Sequence, residues 1–246
     1  MTLRKTQALT LRKIDFSETS QVLHLLTKNY GKINDIAKGA KRKKSSFFGG
    51  LDLLILYEIT YKEKLPGNLD LLTSAIVVKD YRVLSRKINT FTAANYFLEF
   101  IDELVVDGQK ITGLFELLED SFNALSEDAQ AERAIFNFET KALKMLGFSP
   151  RMQNCAICNG ELGSNNMVVF AAKHGGAVCH KCRVTDPTKI WTRRHAVKEL
   201  SEFLNGGNVK LPRQTSLQMR RILSYYVSNL MQKMPVSLRM LNDIYR

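Results

Sequence analysis

The pattern of hydrophobic and polar residues changes its period near residue 80. Before that point apolar residues alternate with polar ones, most clearly where Leu51, Leu53, Ile55, Tyr57, Ile59 and Tyr61 fall on one face. Such alternation is typical of a half-buried strand. Weaker segments of the same kind occur at 8–13, 20–27, 32–38 and 69–75. Five short strands predict a small β-barrel; the OB-fold and the SH3-like barrel both fit, and we adopt the OB-fold.

After residue 80 the apolar positions recur at helical spacing. Three segments show this pattern, at 84–105, 111–125 and 134–146, and it returns at 196–204 and 217–231. Gly147 and Pro150 stand where the third helix should end. We interpret the large apolar residues of these stripes as packed core rather than a cofactor site; they include Phe115, Phe122, Phe138 and Met145.

All four cysteines fall in one stretch, as Cys155-Ala-Ile-Cys158 and Cys179-His-Lys-Cys182. Two C-x-x-C pairs separated by about 20 residues are a zinc-binding pattern, because each turn points two sulfurs at one ion. Four thiolates complete a tetrahedral coordination sphere, so we predict one structural zinc ion. His180 is an alternative ligand, whereas His174 beside two glycines is interpreted as a turn residue.

Taken together, these patterns predict an α+β protein with a zinc element inserted in its helical C-terminal part. We expect an OB-fold barrel at 1–79 and a helical domain at 80–150. The four-cysteine element should occupy 151–190, and C-terminal helices at 191–246 should pack on the helical domain.

The charge distribution favours an anionic partner. The chain carries 36 Lys+Arg against 24 Asp+Glu, a net charge of +12. Residues 1–80 and 148–246 are basic, with net charges of +6 and +10, and residues 81–147 carry −4. No apolar stretch reaches the roughly 20 residues of a membrane helix, and the N-terminus lacks a signal sequence. We therefore expect a cytoplasmic protein.

A run of cations lies between two predicted strands. A flexible cationic loop on a barrel binds phosphates without regard to sequence, and nearby aromatic rings stack on unpaired bases. A solvated loop whose two phenylalanines anchor in the core is the alternative. We predict a DNA-binding set that comprises Lys32, Lys38, Lys41, Arg42, Lys43, Lys44 and Phe47, together with Arg193 and Arg194. Arg220-Arg221 would extend this surface if the pairs share a face.

No familiar catalytic motif occurs in the sequence. It contains no nucleophile elbow, carboxylate metal cluster or nucleotide-binding glycine loop, and His24 and His195 are most simply structural residues. We therefore expect a protein that is not an enzyme.

The order of motifs resembles a known family. The N-terminal segment contains Asp15-Phe-Ser-Glu18-Thr-Ser20, then Leu25-Leu26-Thr27, Tyr30-Gly31-Lys32 and Ala37-Lys38-Gly39-Ala40-Lys41-Arg42. Leu146-Gly147-Phe148 and Pro150 then precede the first cysteine pair. These motifs resemble the bacterial recombination mediator family RecO over essentially the whole chain. Because zinc cysteines are not universal in that family, the metal prediction rests on the cysteine spacing.

The resemblance implies a function in recombinational repair of double-strand breaks and gaps. A family member is expected to bind single- and double-stranded DNA, to anneal complementary strands and to help load RecA onto DNA covered by single-stranded-DNA-binding protein (SSB). Expected partners are RecR, in some cases RecF, and the acidic C-terminal tail of SSB. For the tail we predict cations of the helical segment, namely Arg82, Arg86, Lys87, Arg133, Lys141 and Lys144.

Two other classes of function remain open from the sequence. An RNA-binding or ribosome-associated protein would share the charge, the barrel and the zinc element. A nuclease or other metal-dependent enzyme is the second alternative.

The location of the protein is expected to be the cytoplasm, in association with the nucleoid.

Overall fold

A computed structural model describes residues 2–42, 45, 47, 51–64, 68–127, 131–207 and 210–245. The N-terminal part is a closed five-stranded barrel with the strand order β1-β2-β3-β5-β4. All neighbours are antiparallel except β3 and β5. The strands are β1 (Leu3–Asp15), β2 (Gln21–Thr27), β3 (Gly31–Ala37), β4 (Ile55–Lys62) and β5 (Asp70–Asp80). The predicted α+β fold class with an OB-like N-terminal sheet is confirmed.

The alternation that predicted the fourth strand directs its side chains into the barrel core. Tyr57, Ile59 and Tyr61 are buried. The strand begins at Ile55 rather than at Leu51, because Leu54 adopts a positive φ of 59° within a turn. Such a backbone conformation is incompatible with an extended strand. The alternation therefore predicted the direction of the side chains correctly, but the predicted strand was too long at its N-terminal end.

A buried cation joins the barrel to the helices that follow it. These helices are a short 3-10 helix (Arg82–Arg86), α1 (Ile88–Leu104) and α2 (Leu114–Ser126). The Lys32 ammonium lies 3.1 Å from the Asp102 carboxylate and donates to the carbonyl oxygens of Asp102 and Val105. His24 Nδ1 also lies 2.7 Å from the Asp102 carboxylate. Strands β2 and β3 are thus held against the C-terminal end of α1.

The remaining elements form a smaller sheet and four helices. Strands β6 (Met167–Ala171), β7 (Gly176–Val178) and β8 (Ile190–Arg193) pair in the order β7-β6-β8. The helices are α3 (Ala131–Met145), α4 (Arg194–Leu204), α5 (Arg213–Leu230) and α6 (Val236–Ile244). The contacts divide the chain into two compact units, Met1–Ala134 (unit 1) and Ile135–Arg246 (unit 2). This boundary lies within α3, and the division of the chain into four segments stays a prediction.

Helix α3 is tied to α5 by a buried ion pair. Arg220 donates two hydrogen bonds to the Glu139 carboxylate, one of them over 2.7 Å, and a third to Ser224. Its guanidinium also lies 5.4 Å from the centre of the Phe136 ring. Removing one member of such a pair leaves an uncompensated buried charge, which costs about 3–5 kcal/mol. The pair therefore constrains how α3 packs in unit 2.

Most of the predicted helical core is buried. Phe115, Phe122 and Phe138 are 2% exposed or less, as expected for packed core. Met145 is the exception and is 39% exposed, because α3 ends at this residue. No helix in the described part of the chain is both long enough and apolar enough to cross a membrane.

An acidic side chain is buried at the seam between β3 and β5. Asp35 is fully buried, and neither carboxylate oxygen has a hydrogen-bond partner among the described residues. Asp70 lies opposite it in the strand register. Burial, with a smaller contribution from the charge of Asp70, raises the pKa of Asp35 to about 8. The folded protein therefore holds a proton on Asp35 at neutral pH, whereas the unfolded chain releases it.

This proton makes stability depend on pH. Because the folded pKa is raised, the stabilising contribution of Asp35 is fully present below about pH 4 and is lost as the pH rises towards 8. We expect the free energy of unfolding of the Asp35→Asn variant to lack a component of up to about 1.4 kcal/mol per pH unit that the parent loses between pH 5 and 7. Urea unfolding at several pH values measures the difference. Glu18→Gln, an exposed control, should follow the parent, and parallel curves for parent and Asp35→Asn would contradict the expectation.

Candidate metal centre and nucleic-acid interface

The two cysteine pairs lie in two loops that backbone hydrogen bonds hold together. Cys155 and Cys158 occupy a tight turn in which the N–H of Asn159 donates to the Cys155 carbonyl. Cys179 directly follows β7. The N–H of Ala156 donates to the carbonyl of Ala177 over 2.8 Å, so the first turn is pinned to β7. The two cysteine pairs, which are separated by 20 residues in the sequence, are therefore adjacent in space.

Glycine allows this close approach. A Cβ atom on Gly176 would lie only 2.2 Å from the carbonyl oxygen of Arg151, which precedes the first cysteine turn. The N–H of Ala177 donates to the same oxygen. Any larger residue at position 176 would push the first turn away from β7 and separate the two cysteine pairs.

The four sulfurs are spaced for a metal ion. All four Sγ atoms lie within 4.8 Å of one another, and those of Cys158 and Cys179 are 3.8 Å apart. A tetrahedral ion with metal–sulfur bonds of about 2.3 Å requires sulfur–sulfur distances of about 3.8 Å, whereas a disulfide requires about 2.05 Å. The cysteines are free thiols. Their arrangement fits one four-coordinate metal and uses every ligand position.

The surrounding backbone favours the charged form of one thiol. Burial raises the pKa of Cys155, but hydrogen bonding to the backbone at Cys158, Cys179 and Ile157 outweighs it and lowers that pKa to about 6. The pKa of Cys182 is raised instead, first by hydrogen bonding to Cys158 and then by desolvation. Four thiolates so close together repel one another, and a divalent cation removes that repulsion. The cluster is thus suited to a metal by both its geometry and its charge.

The two histidines near this cluster differ in their surroundings. His180 is exposed and does not belong to the ligand group formed by the described residues. His174 ends a short 3-10 helix, and Gly175 after it adopts a left-handed conformation, as expected for a turn. The ligand set predicted from the spacing, with four cysteines and no histidine, is the set that the structure brings together.

The described part of the cationic loop lies beside the barrel. Lys38 and Arg42 are exposed. Lys41 is partly buried, and its ammonium lies 2.6 Å from the Asp15 carboxylate, which lowers the pKa of Asp15. Lys43 and Lys44 lie outside the described residues. Of the described loop cations, Lys38 and Arg42 are therefore the more accessible to phosphate.

Two residues of the predicted DNA-binding set are packed inside the protein. Phe47 is 7% exposed and belongs to the hydrophobic core of the barrel, so its ring offers no open face to a base. Lys32 is buried against the Asp102 carboxylate. Contrary to the predicted DNA contacts, Lys32 and Phe47 are packed in the folded protein and have structural roles. The sequence pattern could not distinguish a buried cation from an exposed one.

The predicted arginine pairs of the C-terminal part have different environments. Arg193 and Arg194 are exposed and line a cleft of about 450 Å³ with Lys198. His195, which the sequence assigned a structural role, lines the same cleft. In the other arginine pair, Arg220-Arg221, Arg220 is buried against Glu139. Of these two residues, Arg221 is therefore the exposed one.

The six cations predicted for the acidic tail fall in both units. Arg82 is paired with Asp80 at 2.5 Å, and this pairing lowers the pKa of that carboxyl. Arg86 and Lys87 are exposed in unit 1, whereas Arg133 there is partly buried. Lys141 and Lys144 are exposed on α3 in unit 2. Their role in binding a tail stays a prediction.

Comparison with protein families identifies the chain. A model described as the N-terminal part of Recombination protein O matches residues 1–81, and one for its C-terminal part matches residues 85–239. The chain belongs to the RecO family. The N-terminal match ends within a residue of the last barrel strand, and the C-terminal match contains all four cysteines.

Individual relatives carry the same name. DNA repair protein RecO of Rhodopirellula baltica is 34% identical over 198 residues, which cover 79% of this chain and 73% of that relative. DNA repair protein RecO of Syntrophus aciditrophicus is 24% identical over 250 residues and is aligned over 98% and 96% of the two chains. The match to the RecO proteins thus spans the barrel and the cysteine cluster together.

The sulfur geometry leads to a test of the metal centre. We expect one bound metal ion per chain in freshly purified, reduced protein, and nearly complete loss of that metal in Cys179→Ser, because a three-thiolate site is open to water. Elemental analysis measures the stoichiometry, and thermal unfolding should show a less stable unit 2. His180→Ala is the control and should keep its metal. Metal-free parent protein, or full occupancy in Cys179→Ser, would contradict this assignment.

Proposed function

We propose that the chain is a non-enzymatic DNA-binding mediator of recombinational repair. It binds single- and double-stranded DNA, anneals complementary strands and helps to load RecA onto DNA covered by SSB. The observation that carries this proposal is an OB-like barrel with exposed cations beside β3, in a chain of the RecO family. OB-folds commonly bind oligonucleotides on their strand face and loops.

The proposed mechanism requires no chemical step from the protein. Cations hold the phosphates of two strands close together and screen the repulsion between them, while base pairing supplies the sequence specificity. Lys38 and Arg42 would serve this purpose on the barrel, with Lys43 and Lys44 extending the loop. Since the contacts are to phosphate, affinity should be similar for different sequences and should fall steeply with salt.

We propose zinc as the metal of the four-cysteine cluster. Thiolate ligands and a closed tetrahedral arrangement are the features that favour zinc in a structural role. The ion would hold the first cysteine turn against the segment after β7, and it would leave no coordination position for water or substrate. Its contribution is therefore to the stability of unit 2 rather than to catalysis.

The proposed partners follow from the same function. They are RecR, in some cases RecF, and the acidic tail of SSB, at work on the nucleoid in the cytoplasm. The SSB tail would end in an apolar residue with a free carboxylate. Its binding site on this protein would therefore need a hydrophobic groove edged by at least one cation.

The decisive experiment is annealing of complementary strands coated with SSB, with and without this protein. We expect annealing to be faster in its presence. Equal rates would reject the mediator function. Tighter binding to RNA than to DNA at the same salt concentration would favour the alternative of an RNA-binding protein, and turnover of DNA with magnesium or manganese would indicate a nuclease.

The loop cations give a specific test. We expect Lys38→Glu/Arg42→Glu to weaken DNA binding for every sequence, and to reduce the slope of log affinity against log salt on duplex DNA by about two units, because two phosphate contacts are lost. Fluorescence anisotropy at a series of salt concentrations measures both. The control, Arg86→Glu/Lys110→Glu, changes the charge equally and should bind like the parent. If both double variants retain the affinity and slope of the parent, the barrel loop is not the DNA surface.

The tail site is tested with single alanine variants at the six predicted cations. We expect two or three of them to weaken binding of a labelled SSB tail peptide by about two- to fivefold, the range of exposed charge pairs. Lys110→Ala, at the remaining cation of residues 81–147, is the control. If all six variants bind like the parent, the tail docks outside residues 81–147, most simply on the basic segment 148–246.

A further inference from the structure

Part of one face of the small sheet in unit 2, at β8 and the start of β6, is open to solvent, whereas Ala171 and Val178 on the same face are buried. Opposite residues of antiparallel strands point to the same side, so the pairs Met167–Arg193 and Val169–Trp191 share a face. Trp191 is 55% exposed and Met167 44% exposed. Val168 on the other face is buried. Trp191 and Met167 thus place two large exposed apolar side chains on one part of the sheet, and contiguous exposed apolar surface marks interaction sites.

Cations border this exposed face. Arg193 lies two residues from Trp191 on the same side of β8, and Arg194 and Lys198 continue the positive surface onto α4. Arg193, Arg194, His195 and Lys198 line one cleft together with Asn166 and Met167, and no acidic residue lines it among the described residues. The Lys198 ammonium is 3.9 Å from the Glu202 carboxylate and stays highly exposed.

The net positive charge of the chain is concentrated in unit 2, which contains this exposed face. Unit 1 contains 19 basic and 18 acidic residues and has a net charge of +1. Unit 2 contains 17 basic and 6 acidic residues and has a net charge of +11. Nearly all the excess positive charge of the chain therefore belongs to the unit that contains Trp191, although the cationic loop that first indicated DNA binding lies in unit 1.

We propose that this face, formed by Met167, Trp191, Arg193, Arg194 and Lys198, is a second DNA-binding surface that takes a single strand. Trp191 stacks on an unpaired base, and the three cations bind the adjacent phosphates. The inference rests on the proposed DNA-binding function and deepens it, because it gives the protein a strand-binding site separate from the barrel loop. Two such sites are what annealing of two strands requires.

The chemistry of the face favours a single strand over other anionic partners. A flat aromatic ring on an open sheet gains most from an unpaired base, whose face is available for stacking, whereas the bases of a duplex are already stacked. An acidic peptide with an apolar terminus needs a hydrophobic groove, whereas Trp191 does not line the neighbouring cleft and presents an exposed ring. The combination of a stacking platform and basic edges is the usual design of a surface for single-stranded nucleic acid.

The chain carries its own reporter for this test, because Trp191 is its only tryptophan. We expect titration of the full-length protein with oligo(dT) to quench tryptophan fluorescence to saturation, with the same midpoint as anisotropy of a labelled oligonucleotide. If no oligonucleotide binds by anisotropy, the proposed DNA-binding function itself is rejected. If the oligonucleotide binds but tryptophan fluorescence does not change, only the second surface is rejected.

Substitutions then separate stacking from charge. We expect Trp191→Ala to weaken oligo(dT) binding about fivefold or more, and Trp191→Phe to keep most of the affinity, because phenylalanine also stacks. Arg193→Glu should weaken binding and abolish much of the quenching. The matched control is Arg239→Glu on α6, an exposed cation with the same change of charge. Since Trp191 is exposed, metal content and circular dichroism should match the parent in every variant.

Several results would overturn the proposal. They are parent-like affinity in Trp191→Ala, equal losses in Arg193→Glu and Arg239→Glu, and tighter binding of oligo(U) than of oligo(dT). Quenching by an acidic peptide that displaces oligo(dT) at lower concentration would assign the face to a protein partner instead.

Discussion

The meeting of four thiols within 4.8 Å is the constraint on which the rest of unit 2 depends. This unit carries a net charge of +11, and its sheet has three strands, one of which is three residues long. Like charges at this density oppose compaction. The sulfur cluster and the hydrogen bond from Ala156 to Ala177 bring the first turn to the end of β7, and the sheet next to it exposes Trp191 and Arg193 on one side. The sulfur cluster and the proposed DNA surface are thus consequences of the same local fold.

Burial decides which cations are available to DNA. Lys32 and Arg220 are each enclosed beside a carboxylate, where they join a strand to α1 and α5 to α3. Lys38, Arg42, Arg193 and Arg194 are exposed. A buried ammonium or guanidinium is stable only with its partner, so recruiting it to phosphate would leave an acid uncompensated inside the protein. The net charge of the chain therefore overstates the charge that a nucleic acid meets.

The charge of the two units differs from the linear charge profile. Residues 1–80 are basic as a segment, but the helices that complete unit 1 are acidic and nearly neutralise it. Its DNA contacts would then depend on the local field of the loop at Lys38 and Arg42. In unit 2 the excess charge is spread over the unit, and the proposed aromatic contact is made by Trp191 alone. The proposed annealing would use both properties, since one strand must be held while the other is tested for pairing.

Local patterns in the sequence were sufficient for the barrel strands, for helices α1 to α5 and for the cysteine cluster, but not for strand β8. Alternation at Tyr57, Ile59 and Tyr61 identified a strand and its buried face, because the period of side chains follows directly from backbone geometry. The spacing of Cys155, Cys158, Cys179 and Cys182 predicted the cluster that the structure brings together, because a C-x-x-C turn places two sulfurs side by side irrespective of the surrounding fold.

Tertiary structure decided what local patterns do not encode. Phe47 and Trp191 are both aromatic residues near cations, yet one is in a core and the other is in water. Lys32 and Lys38 are both lysines at a strand, yet Asp102 from a distant helix encloses the first. The difference in each case comes from residues far away in the sequence, and contacts at that separation are set by the packing of whole elements. The sequence by itself therefore determined the parts and the chemistry of the chain, and only the fold determined which side chains face a ligand.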